Sequence, residues 1–95
     1  MVRVVSIWQT CNSSPSQWQG STSLGLSVYV RYRWGHLQIG VGRTFKLAVR
    51  NSSSEPLLLK KVGGPWDGLL TYQRLRRFGR GKIAWPAHCK DEWVR

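Results

Sequence analysis

Leu26-Ser27-Val28-Tyr29-Val30-Arg31-Tyr32-Arg33-Trp34, then Gly35-His36, then Leu37-Gln38-Ile39-Gly40-Val41-Gly42 is the stretch on which the fold turns. Apolar and polar residues alternate along it, which is the period of a half-buried strand. Val28, Val30, Tyr32 and Trp34 point one way; Tyr29, Arg31 and Arg33 point the other. Gly35-His36 suits a two-residue hairpin turn with Gly in the first position. That turn pairs Trp34 with Leu37, Tyr32 with Ile39 and Val30 with Val41, so apolar meets apolar on one face. On the other face Arg33 meets Gln38, Arg31 meets Gly40 and Tyr29 meets Gly42. A one-residue slip would scramble both faces.

Outward from the hairpin the pattern is coarser. Residues 2–8 are β-branched, alternate weakly and read as a strand. Residues 9–23 are rich in Ser and Gln, contain Pro15 and Gly20, and read as a loop pinned to the core by Trp18. Residues 45–50 alternate and predict a strand, followed by a loop at Asn51-Ser52-Ser53-Ser54-Glu55-Pro56. Residues 57–62 predict another strand, ended by Gly63-Gly64-Pro65. Thr71 is placed to cap a short helix over 72–78, closed by Gly79. Residues 82–85 suit a last strand stopped by Pro86, and the tail from Ala87 reads as irregular. There is no internal repeat. The expected fold is α+β: one domain over 1–95, a curved antiparallel sheet of about five strands with one short helix. Trp8 and Trp34 are expected in the core, and Trp66 is expected to seal the helix against the sheet.

The charge balance bears on function. Fifteen Lys and Arg face only Glu55, Asp67, Asp91 and Glu92, a formal net charge of +11. Such an excess favours a polyanionic partner over a generic surface, where both signs are usually mixed. No stretch approaches the length of a membrane span and the N-terminal apolar run is too short for a signal peptide, so a cytoplasmic protein with free Cys11 and Cys89 is expected.

Several chemistries find little support. Gly79-Arg80-Gly81-Lys82-Ile83 lacks the Ser or Thr and the earlier Gly of a phosphate-binding loop. Gly40-Val41-Gly42 lacks the third Gly of a dinucleotide fingerprint. Metal would need Cys11, His36, His88 and Cys89, whose spacing is poor for chelation, so neither metal nor cofactor is expected. A Cys89 nucleophile would need His36 from the hairpin tip, since neighbouring His88 points elsewhere. With few carboxylates to converge, catalysis is the least supported class.

Two surfaces stand out instead. The first is the polar hairpin face of Tyr29, Arg31, Arg33 and Gln38, where Gly40 and Gly42 leave a flat floor beside Tyr29 and Arg31 and bases would stack on the ring and the guanidinium planes. The same face also reads as a solvated sheet surface in which Tyr29 and the glycines serve cross-strand packing. The second is Arg74-Leu75-Arg76-Arg77-Phe78-Gly79-Arg80-Gly81-Lys82, whose cations would track phosphates or simply favour a helix C-terminus. The leading expectation is a nucleic-acid-binding module using Tyr29, Arg31, Arg33, Arg74, Arg76, Arg77, Arg80 and Lys82. The alternative is an inhibitor or adaptor of phage type that docks on an acidic or nucleic-acid-accepting protein surface, with Trp93 as its anchor. An unpaired edge strand would also permit a homodimer by strand addition. The stretch from Trp18-Gln19-Gly20 through Tyr29-Val30-Arg31-Tyr32-Arg33-Trp34-Gly35 resembles a pattern in small uncharacterised bacterial and phage proteins. The resemblance covers less than a third of the chain and implies no activity or site residue.

Overall fold

The computed structural model describes residues 1–11, 16–64, 68–79 and 81–91. In chain order the elements are β1 (Val2–Cys11), β2 (Ser16–Thr22), β3 (Ser27–Arg33), β4 (His36–Gly42), α1 (Phe45–Ser54), β5 (Leu58–Lys61), α2 (Tyr72–Leu75), β6 (Ile83–Ala84) and β7 (Lys90–Asp91). The strands form one curled sheet in the order β5-β4-β3-β2-β1-β6, with β7 also paired to β1. The fold is α+β with a curved sheet, as expected. The sheet is mixed rather than purely antiparallel, because β6 and β7 both run parallel to β1.

The β3–β4 hairpin forms, but its turn is Trp34-Gly35 rather than Gly35-His36. Arg33 pairs with His36, Tyr32 with Leu37, Arg31 with Gln38, Val30 with Ile39 and Tyr29 with Gly40. The register differs from the expected one by two residues, and a shift of two preserves the faces. Both turn residues have positive φ, 53° at Trp34 and 74° at Gly35, the hallmark of a type I′ turn that matches strand twist. Trp34 therefore leaves the core and stands 58% exposed at the tip.

The tail from Ala87 is not wholly irregular, because β7 pairs with β1 at Trp8 and Gln9. Two further segments differ from expectation in kind. Residues 16–22 are a central strand, not a loop. Ser16, Trp18, Gly20 and Thr22 alternate inward, and Trp18 is wholly buried. The polar inward residues are satisfied locally: Ser16 Oγ accepts from Leu70 N at 3.1 Å, and Thr22 Oγ1 accepts from Leu26 N at 3.1 Å. Residues 45–54 are a helix, not a strand and loop. Thr44 caps it, its hydroxyl accepting from Leu47 N at 3.2 Å. The helix seats Ala48 and Ser52 on β4, and Asn51 Nδ2 donates to Val41 O at 2.8 Å. Gly40 permits that seat, since a Cβ there would collide with Ala48 O and the Ser52 backbone. The glycine floor thus holds a helix. The expected helix over 72–78 is shortened to α2 and a following turn.

The core lies on the sheet face opposite α1. Val28, Val30, Tyr32, Leu37 and Ile39 meet Ile7 and Trp18 there, with Leu70, Leu75 and Ile83 from the C-terminal third. Burial of each such Leu or Ile contributes roughly 1.5–3 kcal/mol. Val4 and Ile7 both face inward despite their odd spacing because β1 carries an irregularity between Val4 and Ser6. The curl is tied at several points. Val62 N donates to Gly35 O at 2.7 Å, Trp85 Nε1 donates to Phe78 O at 3.0 Å, and Lys60 Nζ lies 5.3 Å from the Phe78 ring centroid. Trp8 is half-buried rather than central, and Trp66 lies outside the described residues.

Candidate nucleic-acid interface

The outer face of β3, β4 and β5 is covered by α1 at one end only. Pairing across the strands sets rows on that face: Tyr29 with Gly40, then Arg31 with Gln38 and Leu59, then Arg33 with His36 and Lys61. The helix covers the first row. The second and third rows lie beside its last turn and form a cleft of about 380 Å³ lined by Arg31, Arg33, His36, Gln38 and Ser53, with Trp34 and Leu59 as apolar walls. Among the described residues no carboxylate lines it. Leu59 is 57% exposed.

Two details of the cleft bear on what it could hold. Arg31 Nε is buried and has no hydrogen-bond partner among the described residues. A buried donor left unpaired is costly, and an anion seated in the cleft would satisfy it. At the rim, the Arg33 guanidinium carbon sits 4.0 Å from the Trp34 ring centroid. The stacked pair presents planar donors beside an aromatic face. The Trp34 carbonyl oxygen accepts a hydrogen bond from His36 Nδ1 at 3.1 Å, which ties the rim to the strand.

The residues expected from sequence separate into groups. Arg31 and Arg33 share the cleft. Tyr29 does not join them: it is buried under α1, with the Phe45 ring edge-on at a centroid distance of 5.8 Å. Burial raises its phenol pKa, with Arg31 partly opposing. Tyr29 therefore offers no open ring to a base. Arg74, Arg76, Arg77 and Lys82 are exposed. Arg76 and Arg77 border a second hollow of about 410 Å³ with Gln73, Ile83 and Trp85, while Arg74 lines a different one beside Gln9 and Leu70. The two arginine clusters share no lining residue. Arg80 and Trp93 lie outside the described residues. Trp34, His36, Ser53 and Leu59 join the cleft without having been expected there from the sequence. The Trp-Gly dipeptide between two alternating runs was the available signal for the first.

Other titratable groups gather weakly. Tyr72, His88 and Cys89 border a groove of about 300 Å³ with Gln9 and Thr71. Among the described residues no three His, Cys, Asp or Glu side chains gather as a metal would require. Tyr72 donates its hydroxyl to Pro86 O. Burial, reinforced by Cys89 and opposed by Arg76, pushes its pKa from 10.0 up to about 12. Folding thus favours the protonated phenol, and this contribution is complete below pH 10.0 and lost as pH rises to about 12. Stability of the protein relative to Tyr72→Phe, followed by urea denaturation, should fall across that window and be flat below it.

No helix among the described residues is long and apolar enough to cross a membrane. Comparison with protein-family models, with curated proteins and with solved structures gives no match.

Proposed function

We propose that the protein binds nucleic acid and that the cleft beside the last turn of α1 is its principal contact. The observation that carries this reading is the buried Arg31 Nε, unpaired among the described residues, in a cleft it shares with Arg33, His36 and Gln38. Phosphate matches the planar guanidinium donors, and the exposed Trp34 ring suits a base. The net charge of +11 supplies long-range attraction that counterion release makes salt-dependent. Arg31→Ala should weaken binding of a labelled oligonucleotide about tenfold or more, the worth of a charge-assisted hydrogen bond. Unchanged anisotropy titrations in that variant would remove the cleft from the account.

A second reading keeps the charge but changes the partner. Phe45, Leu47 and Val49 on α1 are 42%, 37% and 36% exposed, with exposed Arg43, Lys46 and Arg50 among them. An acidic protein surface would suit that mixture. A stoichiometric protein retained in a pulldown after nuclease treatment favours this reading; loss of all co-purifying material favours the first.

A further inference from the structure

We infer, resting on the nucleic-acid reading, that the ligand is a single strand whose path runs from the cleft around the β5 edge to Arg76 and Arg77. The β5 strand ends the sheet. Its two lysines leave on opposite faces. Lys61 pairs with His36 and extends the Arg33–His36 row on the outer face. Lys60 pairs with Leu37 on the inner side, and its ammonium lies 5.3 Å from the Phe78 ring centroid. Phe78 directly follows Arg76 and Arg77 in the chain. Both lysines and both arginines are exposed. The edge therefore joins the two arginine clusters that the clefts alone leave separate.

Lysines on an edge strand also deter strand addition, and any outward lysine would serve that purpose. Protection alone does not require one lysine to continue the cleft row and the other to rest beside the segment that bears the second cluster. A phosphate backbone turning over the edge would use both placements.

The shape of this path selects a single strand over a duplex. The molecule measures only 35 × 32 × 25 Å, so a path that turns around its sheet edge must bend within that span. Duplex DNA, with a persistence length of about 50 nm, resists such a bend. A single strand follows it and also frees bases to lie on Trp34 and Leu59. Arg31, Arg33, Lys60, Lys61, Arg76 and Arg77 give about six phosphate contacts, and a log–log salt slope of about −4 at roughly −0.7 per contact.

The test is anisotropy across a salt series with an oligothymidine of about 15 nucleotides, one of about five, and a duplex matched to the longer. The purified protein should bind the long strand about tenfold or more tighter than the duplex. Lys60→Ala/Lys61→Ala should make the slope shallower by about 1.4 on the long strand and leave it nearly unchanged on the short one. Arg76→Ala/Arg77→Ala should act in the same way, so the path does not depend on one variant. Equal or tighter binding of the duplex, or a long-strand slope that neither double variant alters, would overturn the single-strand path. In that case a loss of affinity in Arg31→Ala would still uphold the cleft. Failure of the unmodified protein to bind any of the three probes overturns both.

Discussion

Trp34→Asn should cost the protein no more than about 2 kcal/mol of stability and make it a much weaker binder of nucleic acid. Trp34 holds a left-handed backbone, φ 53°, and is followed by Gly35 at φ 74°. A left-handed conformation costs a residue with a Cβ roughly 1–2 kcal/mol, less for Asn. Asn-Gly is the preferred dipeptide for the type I′ turn. Against that relief stands the lost Arg33 stack, about 0.5–1 kcal/mol at an exposed site. The ring is 58% exposed, and truncating it also forfeits the burial of the remaining area, up to about 2 kcal/mol. The sum lies between about 1 kcal/mol stabilising and about 2 kcal/mol destabilising. Loss of a stacking platform costs roughly 1–3 kcal/mol per base, or about 5- to 150-fold in affinity. Urea denaturation and anisotropy titration measure the two effects separately. A destabilisation beyond about 2 kcal/mol would mean that Trp34 belongs to the packing, and the strained turn would then need no functional reason.

Gly40→Val should be among the most destabilising single changes in the chain. A Cβ at residue 40 overlaps Ala48 O and Ser52 N and lies 2.8 Å from Ser52 Cα, all backbone atoms that cannot rotate aside. Overpacking usually costs about 1–3 kcal/mol, and more where backbone must move. The helix must lift from β4 to relieve the overlap. A ten-residue helix is marginal once detached, so far-UV circular dichroism should lose helical signal as the urea midpoint falls. Nucleic-acid affinity should fall as well, because the last turn of α1 contributes Ser53 to the cleft. A variant of unchanged stability and helicity would contradict the seating of α1 on the glycines.

The residues that were easy to read and those that were not differ for physical reasons. The hairpin was legible because alternation of period two survives a two-residue error in register: Val28, Val30, Tyr32, Leu37 and Ile39 face the core in either case. What the shift moved was the turn, and with it Trp34. A Trp at positive φ runs against the ordinary preference, so Gly35 drew the turn one residue too late. The strand over 16–22 was hidden because its inward positions are Ser16, Gly20 and Thr22 around one Trp. Such positions carry no apolar alternation, and the polar atoms of Ser16 and Thr22 are satisfied by Gly68, Leu70 and the Thr22–Leu26 turn.

The α1 segment was ambiguous in a different way. Phe45-Lys46-Leu47-Ala48-Val49-Arg50 fits a strand period, and only the Thr44 cap and the spacing from Ala48 to Ser52 favour a helix. Gly40 and Gly42 on one strand, facing Ala48 and Ser52 four residues apart, form a pairing of small residues that marks close approach of helix and sheet. That misassignment also misplaced Tyr29, which the helix covers. Arg31 and Arg33 were legible as neighbours by strand alternation alone. His36, Lys60 and Lys61 required the β3–β4 and β4–β5 registers before they could be set beside them.

Occupancy of the cleft by nucleic acid can be followed residue by residue. Backbone amide chemical shifts of the isotopically labelled protein, followed during titration with an oligothymidine, test it most directly. The largest perturbations should fall on Arg31, Arg33, Trp34, His36, Gln38, Ser53 and Leu59, with little change at Val5 or Leu24. Perturbations centred on the outward side of α1, or none at saturating oligonucleotide, would contradict it.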